Sequence, residues 1–202
     1  MTVKIAVLVS GRGSNLQAII DSIERGYIKD AAVNLVISNN ANAYALERAR
    51  KHGINAVFLD PGSHDRPGYD REVLKLLNKY DVDLLLLAGY FRILGSEIIG
   101  AYRDRILNIH PSLLPAFKGL HAQRQAFEYG VKVAGCTVHY VDEGLDSGPI
   151  ILQSCVPVLP DDTEESLTDR ILEQEHIIYP EAVRLFVEGK LKVEGRKVTF
   201  ID

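Results

Sequence analysis

Val3-Lys4-Ile5-Ala6-Val7-Leu8-Val9-Ser10-Gly11-Arg12-Gly13-Ser14-Asn15-Leu16-Gln17-Ala18-Ile19-Ile20 decides the fold. Its opening, Val3 to Val9, is a short apolar run rich in β-branched residues, the mark of a strand buried on both faces. Ser10 to Asn15 is turn chemistry. Leu16, Ile19, Ile20 and Ile23 then recur at i, i+3, i+4 and i+7, one apolar face of a helix that Gly26 ends. Ala32–Ser38 is a second apolar strand. Strand, tight turn, helix, strand is the opening of a βαβ unit.

The alternation continues outward from that stretch. Asn42–His52 reads as a helix stopped by Gly53, Ala56–Asp60 as a strand and Pro61–Gly68 as a loop. Tyr69–Lys79 reads as a helix with Val73, Leu76, Leu77 and Tyr80 on one side, and Asp83–Gly89 as the most apolar strand. Beyond Gly100 come a strand Arg105–His110, a loop Ser112–Leu120 and a short helix Ala122–Tyr129 closed by Gly130. Gly135–Val141 and Pro149–Val156 predict a hairpin joined by Asp142–Gly148. Thr163–Glu188 predicts a long helix that Pro180 should kink or break, and Leu191–Ile201 a hairpin turning at Glu194-Gly195. The expectation is an α/β, Rossmann-like fold: a mostly parallel twisted sheet, helices on both faces, and an antiparallel C-terminal portion.

Composition bounds the function. The 202 residues suit one large domain or two small ones, and with no linker or repeat in view we read a single domain, 1–202. The 23 Lys+Arg against 27 Asp+Glu give a net charge of −4 and no basic stripe, which argues against a nucleic-acid partner. Cys136 and Cys155 are too few for a disulfide scaffold. No signal peptide is legible at the N-terminus, and the longest apolar stretch, Leu84–Ala88, is far too short to span a bilayer. A cytoplasmic protein without a membrane partner is expected.

Three stretches carry chemistry. Gly11-Arg12-Gly13-Ser14-Asn15 follows a buried strand and opens a helix, where outward N–H groups and the helix dipole favour a phosphate. As a dinucleotide fingerprint it is incomplete. Leu16 holds the third glycine position, and Ser38-Asn39-Asn40 offers no acid for a ribose, so a smaller phosphorylated ligand is favoured over NAD. The bland alternative is a Ser-capped tight turn with no ligand.

In Asn108-Ile109-His110-Pro111, period two puts Asn108 and His110 on one face at the carboxyl end of a strand. A donor amide beside an imidazole suits acyl transfer, one stabilising an oxyanion and the other moving protons. The alternative is a structural histidine. Asp142-Glu143-Gly144-Leu145-Asp146-Ser147-Gly148-Pro149 is a solvated acidic turn, or else it brings a carboxylate to a histidine and thereby favours the protonated imidazole. His121, His139 and Cys136 have no recognised zinc spacing, so no metal is expected. Ser112 beside His110 lacks the glycine pattern of a nucleophile elbow.

Asn108-Ile109-His110-Pro111-Ser112-Leu113-Leu114-Pro115, then Gly135-Cys136-Thr137-Val138-His139, Asp146 and Gly148-Pro149-Ile150-Ile151-Leu152-Gln153, resemble the formyltetrahydrofolate-dependent formyltransferase superfamily. Gly11–Gln17 and Gln174-Glu175-His176 with Tyr179-Pro180 are similar to its branch that formylates glycinamide ribonucleotide (GAR) in purine synthesis. The likeness runs from Ile5 to about residue 192, and only the tail 191–202 is uninformative.

The resemblance implies transfer of a formyl group from 10-formyltetrahydrofolate, as co-substrate and with no metal, to the GAR amine through a tetrahedral intermediate. It implies Asn108, His110 and Asp146 as catalytic residues, with Asp146 holding the water network and keeping His110 protonated. It implies Gly13, Ser14 and Asn15 at the GAR phosphate and Glu175 at its ribose. It implies folate contacts from Arg66, Phe91, Arg92, Ile93 and Leu94, and from Asn108, Asp142, Glu143, Gly144, Leu145 and Asp146. His121 lies in the loop after the catalytic strand, near the site. Residues 1–100 then form a phosphate-binding half and 101–202 a folate-binding and catalytic half, in a monomer or homodimer.

Three alternatives are weighed against this reading. A formyltetrahydrofolate deformylase uses the same triad with water as acceptor, and is expected to carry an extra N-terminal module for which a first strand at Val3 leaves no room. A non-catalytic nucleotide-binding module would not need the Asn108/His110/Asp146 set. A tRNA-formylating relative would add a C-terminal domain and a basic surface.

Overall fold

The computed structural model describes residues 1–201. The chain forms two compact units, Met1–Leu107 and Asn108–Asp202. The division falls inside a strand, slightly C-terminal to the boundary expected after Gly100.

In the N-terminal unit β1 (Val3–Val9), α1 (Ser14–Glu24), β2 (Ala31–Ser38), α2 (Tyr44–Lys51) and β3 (Asn55–Phe58) alternate as the pattern requires. A 3₁₀ turn (Pro61–Ser63), α3 (Arg66–Lys79), β4 (Leu84–Leu87) and α4 (Ser96–Ala101) follow. Strand order is β3-β2-β1-β4, parallel throughout, with Val7 level with Val36 on one side and Leu86 on the other. Central β1 and β4 are enclosed: Ile5, Ala6, Val7, Leu8 and Leu84–Leu86 expose nothing. A fully buried aliphatic side chain of this size contributes about 1.5–3 kcal/mol, so an unbroken apolar run belongs at this place in the sheet.

α1 buries Leu16, Ile19 and Ile20, three of the four residues of its expected apolar face. α3 begins earlier than its expected start at Tyr69. Asp65 caps it by accepting from Gly68 N–H at 2.8 Å, and Pro67 sits in the first turn, where its missing N–H costs nothing.

β5 (Ile106–His110) straddles the division, and the C-terminal unit continues with α5 (Ala122–Tyr129), β6 (Val133–Tyr140), β7 (Ile150–Pro157), α6 (Glu164–Val187), β8 (Leu191–Glu194) and β9 (Lys197–Phe200). β6 and β7 pair antiparallel, as do β8 and β9, and β9 joins β7 parallel at Ile150–Lys197. The expected fold class holds: parallel strands in the first unit and an antiparallel portion at the C-terminal end. Thr163 and Ser166 cap α6 reciprocally, at 3.1 and 3.0 Å. The helix runs unbroken through Pro180, so of the kink or break expected there the break does not occur. Tyr179, Pro180, Ala182 and Val183 are all buried, and α6 packs on β6 and β7, so tertiary contact holds the turn that proline weakens. Among the described residues no helix is long and apolar enough to cross a membrane.

Candidate active site

The turn after β1 is closed by its glycines. Gly13 is the N-cap of α1 with φ 72°, so Gly13, not Ser14, caps the helix, and no side chain takes part. A Cβ on Gly13 would lie 2.6 Å from the Cβ of Ala45, so the position needs glycine for its φ and for the approach of α2. Gln17 N–H returns to Gly13 O at 3.0 Å, the first bond of the helix, and the preceding N–H groups point out of its end. Ser10 ties the neighbouring strand ends together. Its Oγ donates to Asn39 Oδ1 at 2.7 Å and accepts from Phe91 N–H at 3.0 Å, and its N–H donates to Gly89 O at 2.9 Å.

Phe91, Arg92, Ile93 and Leu94 follow β4 in the same unit. Phe91 and Ile93 are exposed, whereas Leu94 is buried, so its side chain serves the core. Arg66 donates to Ile93 O at 3.4 Å, and Arg92 lies 4.4 Å over the Tyr69 ring.

In the C-terminal unit the end of β5 gathers a cluster. His110 is buried, and its Nε2 donates to Phe117 O at 2.9 Å. Its Nδ1 stands 3.5 Å from Asp146 Oδ2, an ion-pair distance longer than a good hydrogen bond. Asp146 Oδ2 instead accepts from Gly119 N–H at 2.8 Å. The pairing expected from the acidic loop is therefore present, but loose. Both ring nitrogens of His110 face acceptors, Phe117 O and the Asp146 carboxylate.

His139, which the sequence offers within the Gly135–His139 motif and as a metal ligand without zinc spacing, belongs to this cluster. Its Nδ1 donates to Tyr140 O at 2.7 Å, which leaves Nε2 to accept from Asn108 Nδ2 at 3.1 Å. Burial pushes its pKa down, against the opposing pull of Tyr140 O and Asp146, which keeps this tautomer neutral. The contact fixes the Asn108 amide and leaves its second N–H for another acceptor.

The loop that carries Asp146 is folded tightly. Asp142 Oδ1 accepts from Ser147 Oγ at 2.5 Å and from Gly144 N–H at 3.1 Å. Gly148 lies so close to the Tyr140 carbonyl that a Cβ there would collide with it. Asp146 itself has φ 44°, a left-handed conformation that Asp tolerates better than most residues. The C-terminal hairpin, uninformative in the sequence, reaches this loop: Arg196 donates to Ser147 O at 2.9 Å.

Glu175 is buried on α6, and Glu143 and Leu145 are exposed. Ser112 donates to Ala116 O at 2.6 Å, so its hydroxyl braces the loop and has no nucleophile's partner. His121 is exposed with φ 59° at the start of α5.

A family model described as formyl transferase matches residues 3–183. Phosphoribosylglycinamide formyltransferase of Escherichia coli (strain K12) is 48% identical over 190 residues, covering 94% of this chain and 89% of its own. The trifunctional purine biosynthetic protein adenosine-3 of Drosophila pseudoobscura pseudoobscura is 48% identical over 94% of this chain, which spans 14% of that protein's length. Among solved structures, glycinamide ribonucleotide transformylase 1 from Symbiobacterium toebii is similar at TM-score 0.97 and 55% identity, over 100% of this chain and 95% of that one. A formyltetrahydrofolate deformylase from Pseudomonas syringae is similar at TM-score 0.91 but 29% identity, over 100% of this chain and 67% of that one.

Proposed function

The chain belongs to the formyl transferase family, and from that premise we propose that it transfers the formyl group of 10-formyltetrahydrofolate to the glycinamide amine of GAR. It is a phosphoribosylglycinamide formyltransferase of purine biosynthesis, as its high-identity relatives are. The observation that carries the reading is the cluster of Asn108, His110, His139 and Asp146 around the end of β5, in which both histidines are buried.

The GAR amine attacks the formyl carbon and a C–N bond forms. The carbonyl oxygen becomes an oxyanion, which takes the second N–H of Asn108 and the charge of protonated His110. The bond from carbon to the folate nitrogen then breaks, and that nitrogen leaves with the proton the amine gives up. His110 mediates this transfer, and Asp146 keeps its ring charged and oriented.

Gly13, Ser14 and Asn15 hold the GAR phosphate and Glu175 its ribose. The folate contacts are assigned to Arg66, Phe91, Arg92, Ile93 and Leu94, and to Asn108 and Asp142–Asp146. In this reading residues 1–100 are the phosphate-binding half and 101–202 the folate-binding and catalytic half of a single formyltransferase domain. The protein works in the cytoplasm on these two small molecules, as a monomer or homodimer.

The test is tetrahydrofolate release from 10-formyltetrahydrofolate, with and without GAR. Release that depends on GAR and matches formyl-GAR produced is expected. Equal release with GAR omitted overturns the reading in favour of a deformylase, whose relative lies at lower identity than the transferases.

A further inference from the structure

The turn after β1 is held from behind by α2. Ala45 N–H donates to Gly11 O at 3.2 Å. Arg48, half-buried on the next turn of α2, donates from Nε to Arg12 O at 2.9 Å and from Nη1 to Gln17 Oε1 at 3.0 Å. Its guanidinium carbon lies 4.8 Å from the centre of the Tyr44 ring, so the fork is stacked as well as bonded. Gln17 is fixed in turn. Its Nε2 donates to Asp21 Oδ1 at 2.8 Å and stands 3.1 Å from His52 Nε2, while His52 Nδ1 is 2.6 Å from Glu24 Oε1.

The consequence lies in the planarity of the peptide. Arg12 C=O and Gly13 N–H share one plane and point in opposite directions, so a donor that fixes the carbonyl also aims the amide. The Gly11 carbonyl and the Arg12 amide are related in the same way. Gly13 has φ 72° and no side chain, so little of its own chemistry holds that plane.

We propose that Arg48 is a positioning residue for phosphate recognition: by clamping Arg12 O and Gln17 it aims the amides of the turn at the phosphate of the substrate. The inference rests on the reading of Gly13, Ser14 and Asn15 as the GAR phosphate site. A lysine cannot replace Arg48 fully, because one ammonium on a flexible stem does not reproduce a planar fork bonded to two acceptors.

The test compares wild type, Arg48→Met and Arg48→Lys with GAR and with its dephosphorylated riboside, and reads kcat and both KM values. For Arg48→Met the KM for GAR should rise about tenfold, the usual scale for losing one hydrogen bond's worth of order at a charged ligand. kcat at saturating GAR and the KM for the folate should stay unchanged. The riboside should be unaffected, so the preference for the phosphorylated substrate falls by the same factor. Arg48→Lys should fall between the two, and it decides the matter if Arg48→Met does not fold. A variant that keeps the wild-type preference overturns the role of Arg48, and so does equal damage to GAR and the riboside. A wild type with no preference for the phosphate overturns the phosphate site itself, and that failure shows before any variant is made.

Discussion

In the turn after β1 the groups proposed to meet a ligand belong to the backbone. At the end of β5 they are side chains, drawn from positions as separate as Asn108 and Asp146. The turn depends on one exacting position, Gly13, where a Cβ would meet Ala45 at 2.6 Å, and its other side chains are replaceable in principle. The cluster depends on every member. His139 orients Asn108, Phe117 O and Asp146 flank His110, and Gly119 N–H holds Asp146. A site made of amides is tuned by whatever holds the main chain, whereas a site made of buried side chains fails when any one of them is cut back. A bulky residue at Gly13 would collide with α2, so its damage would report on folding and not on phosphate.

The largest effect should come from the cluster. Asn108→Ala and His110→Ala should each lower kcat by about 10²–10³ with modest changes in KM, since in the proposed mechanism each removes a group that stabilises the oxyanion. Steady-state kinetics with both substrates checks this. A loss confined to KM would mean that these side chains bind and do not catalyse.

A smaller effect is expected in the turn. Ser14→Ala removes a hydroxyl and leaves the N–H in place, so the KM for GAR should rise by about tenfold at most while kcat and the KM for the folate hold. A fall in kcat as large as that of the cluster variants would erase the distinction between the two regions.

The smallest is a pH effect on stability. His139 has its pKa lowered by burial, so below about pH 6.5 the unfolded chain takes up a proton that the native state refuses. The stability that neutral His139 contributes is therefore present above that pH and is lost as pH falls towards the folded value. Thermal melts between about pH 7 and pH 5 should decline less steeply for His139→Gln than for wild type. Equal slopes would show that His139 is not held neutral.

The two regions also differ in how far the sequence reveals them. The turn is legible because an apolar strand, two glycines and a helical apolar face lie within a few residues of one another. Asn108 and His110 are legible as a pair because period two places them on one face at a strand end. Their partners are harder to read. Phe117 O, Gly119 N–H and the pose of Asp146 depend on two loops, with φ values of 51° and 80° in the first and 44° in the second, which leave no periodic trace. His139 could have been found, because Thr137 and His139 are polar residues on one face of an otherwise apolar, buried strand. α4 was missed because Ser96–Ala101 is short and contains Gly100, and the start of α3 because Pro67-Gly68 reads as loop although proline suits a first helical turn.

The central claim is that His110 and Asp146 act as one unit in formyl transfer, although they stand 3.5 Å apart in the structure. The direct test is a double-mutant cycle on kcat with His110→Ala, Asp146→Asn and the two combined; asparagine is chosen because it too accepts the left-handed backbone at this position. The account predicts a double mutant scarcely slower than the slower of the two single mutants, because groups that act together are lost together. Losses that multiply in full would show two independent residues, and the pairing would have to be given up.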